Sequence, residues 1–155
     1  MALPLAPLLN AHDAAIPAIG FGTASLPTEC GPLVAYALET GYRHIDTAQK
    51  YGTERGVGDG IRASRVPRAE IFLTTKVSHE YLRAADFERS AEGCLKSLGM
   101  DYVDLLLVHW PNAAIPLKET MAALANVKRR GLTRHIGVAN FNLTMLDEAI
   151  ALCRE

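Results

Sequence analysis

Short apolar runs alternate with longer segments in which apolar residues recur at helical spacing. The run at 102–109 (YVDLLLVH) is nearly all apolar, which is typical of a strand covered on both faces. Phe87, Ala91 and Leu95 repeat every four residues, as on the inner face of a helix. The alternation predicts five parallel strand–helix units, whose strands are at 16–22, 42–46, 71–76, 102–109 and 135–140.

Proline, glycine and capping residues predict where several helices begin or end. Pro32 fits only the first turn of a helix, and Gly41 is a typical helix stop. Thr53 is the expected N-cap of the second helix. Thr144 and Asp147 predict a capping box at the start of the final helix.

The second predicted helix contains Gly56, Gly58 and Gly60. Each glycine weakens a helix by about 1 kcal/mol relative to alanine, so close packing is the expected compensation. The run superficially resembles a dinucleotide-binding loop. Its third glycine is one residue early, however, and the run lies inside a helix rather than before one, so we reject that interpretation.

The repeat predicts a single domain over residues 1–155, without a linker or charge block. Two α/β architectures fit the pattern. An open doubly wound sheet needs five or six strands, whereas a closed β/α barrel needs eight units and about 250 residues. Length alone favours the open sheet.

Composition narrows the function classes. The net charge is −1, with 49% apolar and 21% charged residues, so nothing indicates a nucleic-acid or membrane partner. The N-terminal residues lack signal-peptide features, and no run is long enough to span a bilayer. Neither the cysteines nor the histidines have the spacing of a metal site, and the cysteines suggest no disulfide framework. We therefore expect a cytoplasmic protein without a metal.

Asp46, Lys76, His109 and Asn140 each end a predicted strand, at intervals of about one β–α–β step. The C-terminal ends of parallel strands share one rim, which is where barrel enzymes place their chemistry. Taken singly, three of these residues also have a structural explanation: Asp46 as a cap, Lys76 as a solvated charge and His109 as a buried, hydrogen-bonded ring. Together they predict a site.

Tyr51, five residues after Asp46, completes the predicted set of catalytic residues. A phenol has a reference pKa of about 10, and a nearby ammonium such as Lys76 favours the phenolate. Asp46 would hold that ammonium, Tyr51 would deliver a proton, and His109 would donate a hydrogen bond to a carbonyl oxygen. A cofactor hydride would supply the nucleophile. An aldolase using Lys76 as a Schiff-base amine is an alternative, but it leaves Tyr51 and Asp46 without a task.

Four segments carry a specific resemblance: 41–58 (GYRHIDTAQKYGTERGVG), 70–77 (EIFLTTKV), 97–111 (SLGMDYVDLLLVHWP) and 136–141 (IGVANF). In order and register they resemble the aldo-keto reductases. The resemblance implies a (β/α)8 barrel that uses NADPH, less often NADH, to reduce aldehydes and ketones. Its catalytic Asp, Tyr, Lys and His fall on Asp46, Tyr51, Lys76 and His109.

The resemblance also implies cofactor contacts at Gly22, Thr23, Asp46 and Asn140. Ala139 stands where the family usually has a serine that holds the nicotinamide amide, so one hydrogen bond is in question.

For the substrate, the resemblance implies contacts with His109 and Trp110; ordinary packing is the lesser alternative for Trp110. Ala24 stands where several members carry a substrate-facing tryptophan, which implies a wider pocket.

By the family pattern, strands six to eight are absent, so the chain resembles the first five-eighths of a barrel. The residues that stack on the nicotinamide and bind the adenosine phosphate in the family are absent together with these strands. A truncated, non-catalytic fragment or a regulatory or binding subunit is therefore the alternative to an active reductase. Open strand edges would favour self-association.

Overall fold

The computed structural model describes residues 5–153, so the predicted domain limits at Met1 and Glu155 lie outside the described residues. An antiparallel hairpin, β1 (Leu8–Ala11) and β2 (Ala14–Pro17), comes first. The single predicted strand at 16–22 is therefore wrong: Pro17 ends β2, and a bend at 18–19 leads into β3 (Gly20–Gly22). That bend turns the chain from the hairpin into the parallel sheet.

Beyond the hairpin, a strand followed by a helix occurs five times, as predicted. The remaining elements are α1 (Gly31–Thr40), β4 (His44–Asp46), α2 (Glu54–Ala63), β5 (Phe72–Val77), α3 (Ala84–Leu98), β6 (Val103–Val108), α4 (Leu117–Arg129), β7 (Thr133–Val138) and α5 (Leu143–Leu152).

The sheet order is β3-β4-β5-β6-β7, and every neighbouring pair is parallel. A doubly wound sheet reverses its strand order at a switch point. Here sequential strands are always neighbours, as in a β/α barrel. The fold class is therefore five consecutive units of a (β/α)8 barrel, and the open sheet favoured by length is wrong.

The core lies between the sheet and its helices. Ile45, Leu73 and Leu106 on the strands are buried against apolar residues of the helices, among them Phe87 and Leu124. Burial of each such side chain contributes about 1.5–3 kcal/mol before the entropy of ordering is subtracted. This core holds the strand ends in fixed register.

The predicted close packing of α2 is confirmed. A Cβ at Gly58 would lie 1.9 Å from the carbonyl oxygen of Leu98, and one at Gly60 would lie 2.5 Å from that of Gly31. At Gly56 the corresponding distance to a backbone oxygen is 2.3 Å. Helix α2 therefore contacts its neighbours through its backbone, which only glycine allows.

One predicted cap is confirmed in position but not in its hydrogen bond, and the other is wrong. Thr53 does precede α2, but its hydroxyl makes no cap bond and lies 3.0 Å from the hydroxyl of Thr47. Helix α5 begins after Asn142, whose side chain accepts a 2.9 Å hydrogen bond from the N–H of Met145. Thr144 is thus inside the helix, because Asn142 offers an equally good cap two residues earlier.

Among residues 5–153, no helix combines the length and apolar character needed to cross a membrane. The same residues contain no cluster of His, Cys, Asp or Glu that could hold a metal ion.

Candidate active site

The predicted residues meet at the C-terminal ends of adjacent strands. Asp46 is the last residue of β4, Lys76 is the penultimate residue of β5, and His109 directly follows β6. Tyr51 ends a short 3-10 turn, Gln49–Tyr51, that leaves β4. The Nζ of Lys76 lies 2.6 Å from Oδ1 of Asp46 and 3.5 Å from the hydroxyl of Tyr51.

The ammonium of Lys76 is buried, with 7% of the residue exposed. Its third hydrogen bond, of 3.0 Å, goes to the carbonyl oxygen of Thr47. An ammonium has three donors, and Asp46, Tyr51 and Thr47 provide three acceptors. The position of Nζ is therefore fixed from three directions, and it lies 5.0 Å from the centre of the Tyr51 ring.

The ring of His109 packs edge-on against that of Tyr51, with 5.5 Å between the ring centres. Its Nδ1 is buried and finds no hydrogen-bond partner within residues 5–153. Burial lowers the pKa of His109, and the positive charge of Lys76 lowers it further despite the opposing effect of Asp46. The lowered pKa favours the neutral imidazole, which can donate one hydrogen bond.

Asn140 joins the end of β7 to this group. Its backbone is in the left-handed region, with a φ of 62°, a conformation that asparagine tolerates better than most residues. Its Nδ2 donates a 2.7 Å hydrogen bond to the carbonyl oxygen of His109. That bond leaves the amide oxygen of Asn140 as an acceptor.

Gly22 and Thr23 differ in how they face the site. A Cβ at Gly22 would meet no atom within 4 Å, so there is open space beside this residue. Thr23 is fully buried, and its N–H donates to the carbonyl oxygen of Asp46 over 3.0 Å. The Thr23 N–H is therefore engaged within the protein. Trp110 is half-exposed next to His109.

Behind the site lies a polar layer that the sequence did not predict. The hydroxyl of Thr53 lies 2.9 Å from that of Thr23, and Thr75 donates a 2.6 Å hydrogen bond to Oε1 of Glu54. Glu54 is 6% exposed, and its burial raises the pKa of its carboxyl. Strand alternation offered a signal: Thr75 precedes Lys76, so it must face the helices.

A second unpredicted link supports the turn that carries Tyr51. The Oε1 of Gln49 accepts a 3.1 Å hydrogen bond from the N–H of Ser78, just beyond β5. The two loops that follow β4 and β5 are thereby joined at the rim.

Comparisons with known proteins bear on the family and the fold of the chain. The sequence model of the Aldo/keto reductase family matches residues 18–154. Methylglyoxal reductase DkgB of Salmonella typhi is 45% identical over 139 residues, which is 88% of this chain and 52% of that protein.

Two solved structures are also similar. A thermostable aldo-keto reductase in complex with the inhibitor epalrestat has a TM-score of 0.88 and 42% identity, covering 98% of this chain and 60% of that chain. The Bombyx mori aldo-keto reductase in complex with NADP has a TM-score of 0.87 and 33% identity, covering 96% and 55%.

The chain spans about half the length of the curated relatives it matches. Over that span the family match and the parallel strand order agree. The chain belongs to the aldo/keto reductase family.

Proposed function

We propose that the protein is an oxidoreductase that reduces aldehydes or ketones to alcohols with NADPH, or less often NADH. The observation that carries the proposal is the position of the Lys76 amine, 2.6 Å from Asp46 and 3.5 Å from the Tyr51 hydroxyl. A phenol beside a fixed ammonium is a suitable proton donor to a carbonyl oxygen.

In this proposal each of the four residues has a distinct task. Tyr51 gives its proton to the carbonyl oxygen of the substrate, and Lys76 stabilises the phenolate that remains. Asp46 holds Lys76 in place. The neutral imidazole of His109 donates a hydrogen bond to the same carbonyl oxygen, which orients it toward Tyr51.

The residues at the rim fit the nicotinamide end of such a cofactor. The amide oxygen of Asn140 is available as an acceptor, and the space beside Gly22 lets a flat ring approach the backbone. When bound, NADPH supplies a hydride. Thr23 would contribute through its carbonyl, since its N–H is engaged, and Asp46 would line the same space. Ala139 has no hydroxyl, so Asn140 holds the amide without help from that position.

The substrate is proposed to be a small carbonyl compound. The half-exposed ring of Trp110 would form one wall of its pocket beside His109. The name of the related methylglyoxal reductase suggests the same class of substrate. Ala24 would add little bulk to this pocket, since its side chain is a single methyl group.

Absorbance at 340 nm tests the proposal directly. Purified protein mixed with NADPH and a panel of aldehydes, including methylglyoxal, should consume the cofactor, and Tyr51→Phe should not. No consumption by the wild-type protein with any aldehyde would refute activity of this chain.

A Schiff-base role for Lys76 is disfavoured by its surroundings. All three N–H donors of its amine face acceptors, on Asp46, Thr47 and Tyr51. A Schiff base requires an amine with a free lone pair aimed at the substrate. Borohydride trapping of a carbonyl adduct on Lys76 would restore this alternative.

A second candidate function is a non-catalytic, binding or regulatory role with self-association. The specific observation is that β3 and β7 each pair on one side only among residues 5–153. Unpaired strand edges attract further strands. Binding without turnover, detected as quenching of Trp110 fluorescence by NADPH, would favour this candidate.

We also propose that the protein acts in the cytoplasm. Cys30, Cys94 and Cys153 are all free thiols, which suits a reducing compartment.

A further inference from the structure

We propose that Gln49 is a positioning residue for Tyr51: its side-chain amide fixes the turn that carries the phenol and so sets the distance from the Tyr51 hydroxyl to the Lys76 amine. The effect of Gln49 on a reaction rests on the proposed reductase function. Its effect on the position of Tyr51 does not, because that position can be measured without turnover.

The contact between the phenol and the amine leaves little room for movement. The Tyr51 hydroxyl lies 3.5 Å from Nζ of Lys76, which is longer than the usual N–H···O distance of about 2.7–3.2 Å. The same Nζ lies 2.6 Å from Asp46 and 3.0 Å from the carbonyl oxygen of Thr47. The amine is held by these two shorter bonds and cannot follow the phenol. The position of the turn Gln49–Tyr51 therefore decides whether the phenol reaches it.

The chain that follows Tyr51 is anchored by buried hydroxyl groups. Thr53 is fully buried, and its hydroxyl lies 3.0 Å from that of Thr47 and 2.9 Å from that of Thr23. Thr47 follows β4, and Thr23 follows β3. The chain just after the phenol is thereby fixed to the ends of two strands.

The chain that precedes Tyr51 is anchored through Gln49. Ala48 offers only a methyl group, and Lys50 is exposed. The Oε1 of Gln49 accepts a 3.1 Å hydrogen bond from the N–H of Ser78, a residue that is 2% exposed. A buried N–H that loses its acceptor is costly. This bond therefore resists movement of the turn away from β5, the strand that carries Lys76.

The nitrogen of the same amide contacts a third element. Nε2 of Gln49 donates a 3.5 Å hydrogen bond to the hydroxyl of Ser90, which is buried on α3. Oxygen and nitrogen of the amide are thus both engaged by the protein, which orients the side chain toward β5 and α3. Any influence of Gln49 on the reaction passes through the turn to Tyr51.

The ring of His109 reports where Tyr51 lies, without turnover. It packs edge-on against the Tyr51 ring with 5.5 Å between the ring centres, so the ring current of Tyr51 shifts its imidazole proton NMR signals. Gln49→Met keeps the length of the side chain but removes the acceptor. It should move the His109 signals and speed hydrogen exchange of the Ser78 amide about fivefold. Gln49→Glu keeps an acceptor oxygen and should retain slow exchange at Ser78.

Asn126→Met is the matched control. Asn126 also joins two elements through a side-chain amide, because its Nδ2 donates a 2.8 Å hydrogen bond from α4 to Glu88 on α3. It lies in the last turn of α4, which leads to the start of β7 and so to the end of the sheet opposite the site. This variant should leave the His109 signals and the Ser78 exchange unchanged.

Unchanged His109 signals in Gln49→Met would overturn the proposal. This holds even if exchange at Ser78 becomes faster, because the hydrogen bond would then exist without positioning the ring. Equal movement of the His109 signals in Gln49→Met and Asn126→Met would also overturn it, since the effect would then not be specific to the turn.

A kinetic comparison separates this proposal from the reductase proposal. With NADPH and methylglyoxal, Gln49→Met should lower kcat about 10–100-fold, because a small misplacement of a reacting group is costly. The KM for the aldehyde should not change, and Gln49→Glu should restore most of kcat. Normal kcat in Gln49→Met would overturn the effect on the reaction. If the wild-type protein reduces no aldehyde, the reductase function fails, and the NMR comparison alone decides whether Gln49 positions Tyr51.

Discussion

The Nζ of Lys76 lies 2.6 Å from Oδ1 of Asp46, although the two residues are on different strands and not in direct register. Asp46 pairs with Thr74, two residues before Lys76. The Lys76 amine therefore reaches back toward the end of β4 and meets the turn that carries Tyr51. This offset lets one ion pair connect two strand ends with the phenol.

Tyr51→Phe should lower kcat for carbonyl reduction by about 10²–10⁴-fold, because the substrate oxygen would lose its positioned proton donor. Tyr36→Phe is the matched control, since Tyr36 is 68% exposed on α1. The measurement is steady-state NADPH oxidation at saturating aldehyde. Equal loss in both variants would contradict the assigned role.

Gly58→Ala should destabilise the protein by about 3 kcal/mol, because its Cβ would lie 1.9 Å from the backbone oxygen of Leu98. The backbone of Leu98 cannot rotate aside to relieve this contact, as the end of a side chain could. Gly93→Ala should instead stabilise by up to about 1 kcal/mol, since Gly93 lies in α3 with nothing within 4 Å of the new methyl group. Urea unfolding of both variants measures the contrast, and equal effects would contradict it.

Asp104→Ala should cost about 3–5 kcal/mol of unfolding free energy. The carboxylate is 3% exposed, pairs with Arg68 at 2.8 Å and Arg134 at 3.0 Å, and accepts the N–H of Leu73 at 3.0 Å. Removal of this carboxylate leaves the guanidinium groups of Arg68 and Arg134 without their ion-pair partner. Asp59→Ala, which breaks the exposed pair with Arg62, is the control and should cost about 1 kcal/mol or less.

Stability should fall on acidification below pH 6.5. Burial lowers the pKa of His44 and of His109 below the reference value of 6.5. A histidine with a lowered pKa in the folded state binds protons less readily there than in the unfolded state. Its contribution to the free energy of unfolding is therefore fully present above the pKa of the unfolded state. That contribution is lost as the pH falls through the pKa of the folded state.

The matched test compares wild-type protein with His44→Gln, which can keep a hydrogen bond to the hydroxyl of Thr74, 3.0 Å from Nε2. Unfolding free energies measured from about pH 8 to about pH 5 should decline less steeply in the variant. Glu54 acts in the opposite direction, because burial raises its pKa, but it is common to both proteins. Identical pH slopes would count against the role of His44.

The protein should self-associate with increasing concentration. Leu143 is 80% exposed and Ile150 is 42% exposed on α5, the helix that follows the edge strand β7. Apolar surface beside a strand edge favours association. Light scattering should show a mass that grows with concentration and falls in the Leu143→Glu, Ile150→Glu double variant. A monodisperse monomer at all concentrations would contradict this prediction.

The strand–helix repeat and the four polar residues at the strand ends could be predicted from the sequence, because both depend on local pattern. The run at 72–77 is buried throughout and reads as a strand by composition alone. The choice between barrel and open sheet depends on which strands become neighbours, and chain length was a poor guide to that. The family resemblance, rather than periodicity, indicated the correct alternative.

The features that the sequence did not predict depend on tertiary contacts or on a choice between competing helix caps. All residues of β1 are exposed, so the hairpin has no alternating burial to reveal it. The hydroxyl of Thr53 bonds to Thr23, thirty residues away, rather than to its own helix. The same holds for the hydrogen bond from Thr75 to Glu54, which joins residues 21 positions apart.

Helix α2 touches α1 and Leu98 through main-chain atoms. Such a contact cannot be adjusted by exchanging one aliphatic side chain for another, so substitutions on this face of α2 should be poorly tolerated. Laboratory evolution of substrate preference should therefore yield few accepted changes there. Libraries are better directed at the exposed loop positions, Lys50 and Trp110 first.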